Sequence, residues 1–238
     1  MLWGIAAVTA FFIKGLCGFA NTLVFTSILG FTAANVNISP VELILGYPTN
    51  LIQTWKNRES LKPEVCVPLI LLVLAGSIPG ALLLKNADTR SLKVIFGITV
   101  IFIGMEMLGT EYGFIRKRQS KGILAVLGLL SGILCGLFGA GALLAAYVGR
   151  TTDTVDAFKA NLGAVFAAEN TVRIGMYCML GIITEAALKQ ALILVPFMAA
   201  GMYAGMKSAA VLDEKLVKKI AILFLILSGA SLILLNVQ

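Results

Sequence analysis

The feature that most restricts this chain is its supply of long uncharged apolar runs. Val65 to Leu84 and Ile220 to Leu235 contain no charged side chain. Such runs approach or reach the roughly 17–25 residues that cross a bilayer as a helix. Over the whole chain 59% of residues are hydrophobic and 13% charged, whereas a soluble domain is about a quarter charged. A transmembrane β-barrel would alternate apolar and polar residues, and these runs are continuous. The expected fold class is an all-α polytopic membrane protein. About eight hydrophobic segments can be marked, at 2–34, 41–56, 64–84, 92–110, 121–149, 157–181, 184–206 and 216–236. The links between them are too short to form a soluble domain. Leu2 to Ile13 is apolar ahead of the first lysine, Lys14. A secretory signal places its positive charge before the apolar stretch, so this segment is read as part of the mature protein.

Two segments carry glycine clusters, Gly15-Leu16-Cys17-Gly18-Phe19-Ala20-Asn21 and Gly132-Ile133-Leu134-Cys135-Gly136-Leu137-Phe138-Gly139-Ala140-Gly141. Glycine inside a helix costs about 1 kcal/mol relative to alanine, so repeated glycines suggest that the backbone does something special there. Interrupted segments at matching places in two halves are the usual pointer to a transporter's binding site.

The halves themselves repeat. Between Gly76 and Leu108, adding 125 to a position gives its partner. Gly76 and Gly80 match Gly201 and Gly205; Asp88, Arg90 and Lys93 match Asp213, Lys215 and Lys218; Gly104 matches Gly229. Upstream the offset is 121, so Gly15, Gly18 and Ala20 match Gly136, Gly139 and Gly141. Gln53-Thr54-Trp55-Lys56 can be laid on Asn170-Thr171-Val172-Arg173. The expected organisation is two homologous four-segment repeats, each starting with a Gly-interrupted (broken or re-entrant) helix. The first spans 1–112 and the second 122–238. The basic linker 113–121 between them contains Arg116-Lys117-Arg118-Gln119-Ser120-Lys121. Gly76-x-x-x-Gly80 and Gly201-x-x-x-Gly205 read as close helix-packing patterns.

Eight simple spans would place the links near 85–93, 150–159 and 207–219 on one side and 56–62, 111–121 and 182–189 on the other. Both sets are similarly basic, so the positive-inside rule does not choose between them. If each glycine-rich segment is instead a hairpin of two half-helices, each repeat crosses an odd number of times and the two repeats are inverted. That is the reading favoured here.

A helix broken inside a membrane must be buried in protein or line a wet cavity. Its freed N–H groups and the positive end of the half-helix favour an anion. Gly15, Gly18, Asn21, Gly136, Gly139 and Gly141 are therefore candidate substrate-binding positions. Gln53 with Lys56, and Asn170 with Arg173, are spaced i, i+3 and share a helix face. Asn50 joins the first face and Tyr177 the second. Asn50, Gln53, Asn170 and Arg173 complete the candidate site. An ionisable group within a span is a functional hypothesis by default, and the planar guanidinium of Arg173 suits an oxyanion. The competing reading of Arg173 is a salt bridge with Glu169; that of Lys56 is snorkelling to the interface. Glu42, Glu106 and Glu169 are carboxylates suited to proton coupling, with Glu106 and Glu169 the named candidates. Lys14 and Lys159 read as snorkelling or paired. The four cysteines read as small apolar fillers. The chain has no histidine, which removes the commonest metal ligand and general base. It also has no P-loop. No enzyme, cofactor or metal is expected. The net charge of +7 reads as loops beside anionic lipid, and no motif suggests nucleic acid.

The sequence resembles the TauE/SafE sulfite exporters, also called the toluene-sulfonate uptake permease group, over nearly its whole length. The twin glycine clusters, Lys159-Ala160-Asn161, Asn170-Thr171-Val172-Arg173-Ile174, Gly181-Ile182-Ile183-Thr184 and the Lys218 to Leu235 span with Ser228-Gly229 carry the resemblance. Gly-Phe-Ala-Asn stands where many relatives have a run of glycines, and a proline that often follows the cluster is missing. The resemblance implies a multispan carrier for sulfur-containing anions such as sulfite, sulfoacetate or other organosulfonates, with the site where two repeats meet. The expected function is a secondary transporter, an exporter or permease, working by alternating access. A carrier or channel for another small organic ion, or a non-transporting assembly subunit, stays open. The expected partners are a small anion and the lipid bilayer, with homo-oligomerisation left open. The expected location is the prokaryotic plasma (inner) membrane.

Overall fold

In the computed structural model the described residues are 1–29, 33, 35–83, 94, 97–98, 101–102, 104–105, 108–109, 121–138 and 141–237. Among them there are helices and short links but no strand. The elements are α1 (Leu2–Cys17), α2 (Asn21–Leu29), α3 (Asn35–Lys56), a 3-10 turn (Arg58–Ser60), α4 (Pro63–Leu83), α5 (Lys121–Phe138), α6 (Ala142–Thr151), α7 (Val155–Met179), α8 (Glu185–Val211) and α9 (Glu214–Val237). The described residues between 94 and 109 are all helical. Glu106, Gly139 and most of the basic linker lie outside the described residues.

Two helices, over Pro63–Gly80 and Glu185–Val211, are long and apolar enough to cross a bilayer. Each keeps only 33% of that window buried. Leu71 and Ile78 on α4, and Leu192, Ile193 and Tyr203 on α8, stand exposed. Contiguous apolar surface of this kind is costly in water and at ease in lipid. Local signals set the starts of α7 and α8. The Thr154 and Thr184 side chains accept from Ala157 N (3.1 Å) and Ala187 N (3.2 Å), satisfying donors that have no partner within the helix. Asp156 and Glu185 in the first turns oppose the positive helix end.

Two helix pairs dominate the packing, α1 on α8 and α4 on α5. Glycine makes both close. A Cβ at Gly201 would press on the Val8 carbonyl and lie 3.1 Å from Phe12 N; at Gly205 it would press on the Phe12 carbonyl and lie 2.9 Å from Leu16 N. In the other pair, a Cβ at Gly76 would press on the Leu129 carbonyl and lie 2.7 Å from Ile133 N, and one at Gly80 would meet the Ile133 carbonyl. Residue numbers rise together along both contacts, so each pair runs parallel. The segment 94–109 packs antiparallel on α9, with Gly97 against Gly229 and Ile233, and Gly104 against Ile226.

The chain reverses between α1 and α2. Trp3 and Phe25 have ring centroids 5.9 Å apart, whereas an unbroken helix would separate them by about 33 Å. Phe25 and Leu29 pack in one core with Ala6, Ala7, Ala10 and Phe11. Helices α3 and α7 cross antiparallel: Ser39 meets Tyr177 (3.2 Å), Tyr47 meets Thr171 (3.2 Å), and Lys62 N donates to Asn161 Oδ1 (3.0 Å).

This geometry departs from eight simple spans. Lys62 lies 3.6 Å from Asp153, so the 56–62 and 150–159 links share an end of the molecule. The reversal after α1 changes the parity of every later crossing. A correction concerns Cys178. It is exposed, whereas Cys17, Cys66 and Cys135 are buried.

Candidate functional site

The interior of the bundle holds an unusual set of buried polar side chains: Lys14, Asn21, Glu42, Asn50, Gln53, Lys159, Glu169, Asn170 and Arg173. They gather around the ends of α1 and α5, where two chain segments stop short.

At the first stop, α1 ends at Cys17. Gly18 has φ 93° and its N–H donates to Lys14 O at 2.7 Å. Ala20 then takes φ 72°, a left-handed conformation that costs an L-residue roughly 1–2 kcal/mol. Glycine is required at 18 for space as well, since a Cβ there would lie 2.8 Å from Lys159 Cγ. The last carbonyls of a helix have no internal partner, and here side chains from other helices take them. Gln53 Nε2 donates to Gly18 O (2.9 Å) and to Lys159 O (3.0 Å), and Lys159 Nζ donates to Gly15 O (3.4 Å). At the start of α2, Asn21 Nδ2 and Thr22 Oγ1 both donate to Glu42 Oε1, the latter at 2.9 Å. The group that meets the first side chains of α2 is thus the protein's own Glu42 carboxyl. Lys14, 1% exposed, donates to Asn50 Oδ1 (2.6 Å) and Gly46 O (3.4 Å). It does not snorkel, because the chain reversal turns the end of its span into the middle of the molecule.

At the second stop, α5 ends at Phe138 and Gly141 precedes α6. Gly141 is buried against the Phe166 ring, and Gly136 is buried near the end of α5. Arg173 Nη1 donates to Cys135 O (3.2 Å) and Nη2 to Asn170 Oδ1 (2.9 Å). Its Nε lies 3.6 Å from Glu169 Oε1, and that oxygen also accepts from Ser77 Oγ (3.1 Å). The fork of Arg173 therefore holds a helix end and a carboxylate. Glu42 lies within electrostatic reach of Arg173, Lys14 and Glu169, so the two stops share one charge network. Gln53 Oε1 and Arg173 Nε are buried without a hydrogen-bond partner.

An open cavity of about 660 Å³ runs in from the end that carries Asn57, Thr154 and Leu212 and reaches Gly15 and Gln53. Lys56, Asp156 and Lys159 line it, with an apolar wall that includes Met202, Met206 and Val217. Of the candidate substrate-binding residues, Gly15 and Gln53 line this cavity. Asn21, Asn50, Asn170 and Arg173 lie in the polar network around the two stops, while Glu106 and Gly139 lie outside the described residues. Sequence reasoning passed over Lys159 as a site residue. Its signal was spacing: Lys159, Asn170 and Arg173 fall at i, i+11 and i+14, one stripe of a 3.6-residue helix.

A family model described as "Sulfite exporter TauE/SafE" matches residues 3–232. No curated protein matches, and no solved structure matches.

Proposed function

The chain belongs to the TauE/SafE sulfite exporter family, a family of integral membrane transporters, and we propose that it is a secondary carrier for a small sulfur-containing anion such as sulfite or an organosulfonate. The observation that carries this reading is the buried polar network at two helix stops inside an otherwise apolar, lipid-suited bundle. Irregular backbone at membrane depth is tolerated only where protein or a wet cavity covers it. Here both conditions occur at the first stop, through Gln53 and the cavity that reaches Gly15.

In this reading the chain is an inverted duplication of 1–112 and 122–238 joined by the basic linker 113–121. The glycine contacts support it. Gly201 on Val8 and Phe12 mirrors Gly76 on Leu129 and Ile133, with the offsets of 125 and 121 read from the sequence, while the two parallel pairs begin at opposite ends. The buried cations suggest a different middle register from the alignment of Gln53 with Asn170. Lys14 on Asn50 and Arg173 on Asn170 are like bonds, and they align Asn50 with Asn170 and Gln53 with Arg173. In this reading the substrate path runs between the halves, past Gly15, Gly18, Asn21, Asn50 and Gln53 on one side and Gly136, Gly141, Asn170 and Arg173 on the other. Alternating access exposes it to each face of a prokaryotic plasma membrane in turn. Glu169 and Glu106 are the proton-coupling candidates; a proton on Glu169 would loosen its hold on Arg173.

The test is flux in liposomes, with sulfite, sulfate, sulfoacetate, a taurine-like sulfonate and a carboxylate control. A saturable response to a sulfur anion is expected. Folded protein that moves no member of the panel would refute the reading.

A further inference from the structure

We infer that the cavity at Gly15 and Gln53 is a cytoplasm-facing binding site whose contact group is the Lys159 ammonium, and that its ligand is a singly charged oxyanion. The inference rests on the carrier reading for what is moved, and adds the side, the contact residue and the ligand's chemistry.

The side follows from charge. Among the described residues, the end at which the cavity opens carries Lys56, Arg58, Lys62, Lys121, Arg150, Lys207, Lys215, Lys218 and Lys219. The opposite end, near the start of α8, carries Lys189, already paired with Glu185 at 2.6 Å. Short loops rich in Lys and Arg stay on the cytoplasmic side. Straight spans hid this asymmetry, because they divided the basic links evenly between two faces.

The contact group follows from partners. Arg173 is committed to Glu169, Asn170 and the Cys135 carbonyl. Lys159 is 9% exposed and lines the cavity, and its ammonium makes one long bond, 3.4 Å to Gly15 O. An ammonium has three donors, so it has capacity left for an oxyanion. The ligand's charge follows from the lining: among the described residues, Lys56 and Lys159 against Asp156 leave a single positive charge. Met202, Met206 and Val217 offer a wall for a short carbon chain.

The experiment places a cysteine at Ala210, on the cavity wall, in a Cys178→Ser background that removes the exposed native thiol. Impermeant thiol reagents of either charge are applied to intact cells and to inside-out vesicles. Reaction is expected from the cytoplasmic side alone, faster with the anionic reagent. Lys159→Gln should lower that preference about three- to tenfold, the effect of one nearby charge in partly wet surroundings. Ethanesulfonate should protect the thiol, and the protection should fall in Lys159→Gln and persist in Lys159→Arg. Reaction only from outside, or a charge preference and protection indifferent to Lys159, overturns the inference. If Lys159→Gln does not fold, the salt dependence of the reagent preference at Ala210→Cys reads the same positive charge, and a preference unchanged by salt overturns the inference. Labelling that follows Lys159 in a protein that moves no anion would leave the site standing and remove the carrier reading. Saturable flux indifferent to Lys159 would do the reverse.

Discussion

Two ion pairs in this protein have the same N–O separation, 3.6 Å, and opposite surroundings, which makes a controlled comparison. Arg173 and Glu169 are 3% and 1% exposed; Lys62 and Asp153 are 43% and 83% exposed. Removing one partner of a buried pair leaves a charge in low dielectric and costs about 3–5 kcal/mol, whereas an exposed pair contributes about 0–1 kcal/mol. Arg173→Ala strips Glu169 of its cation, leaving it the Ser77 hydroxyl, and removes one donor each from the Cys135 carbonyl and the Asn170 amide oxygen. Equilibrium unfolding in mixed micelles should show a loss of about 3–5 kcal/mol for Arg173→Ala and a comparable loss for Glu169→Gln. The double variant Arg173→Met with Glu169→Gln should recover most of it, because no unpaired charge remains. Lys62→Met should change stability by less than about 1 kcal/mol. If Arg173→Ala unfolds like the parent while its anion flux is lost, the argument is refuted, and Arg173 contacts substrate instead of clamping a helix end.

Two further outcomes follow from the backbone. Gly205→Val, on the Phe12 carbonyl, and Gly80→Val, on the Ile133 carbonyl, should each lower stability by about 1–3 kcal/mol through overpacking; Gly175→Val, with open space around it, is the control, and equal losses at all three positions would show that close approach is not the cause. Ala20→Gly relieves the left-handed φ of 72° and should raise the melting temperature, by up to about 1 kcal/mol of stability. A fall in melting temperature would mean that Ala20 is held there by packing worth more than the strain.

Much of the fold is legible in one dimension because bilayer length, apolarity and glycine are local signals. The uncharged run at 65–84 and the glycines at 76, 80, 201 and 205 identify helices and the points where they touch, since both depend on a few neighbouring residues. Lys14 and Lys159 were not legible in the same way. A lysine at the edge of an apolar run reads as snorkelling or paired, and only the reversal between Cys17 and Asn21, which brings Phe25 back to Trp3, turns that edge into the interior. Sidedness was left open for the same reason: one reversal flips every later link. Glu42 was legible as a carboxylate in a span but not as the partner of the α2 N-terminus, because that contact joins residues a helix-length apart. The polarity of a cluster is local, whereas the direction in which the chain leaves it is decided by packing against the other half.

The cross-packing of α1 on α8 and α4 on α5 has a consequence for how such a carrier could move. If the proposed duplication holds, each half lends its glycine-rich segment to the other half's long helix, as two people linking arms do. A rocking body would then contain one segment from each half, and the connecting loops would act as tethers between bodies. A chain cut in the linker would yield two fragments, neither able to bury its own small-residue seam, so each would fold only in the company of the other, like the subunits of a heterodimer.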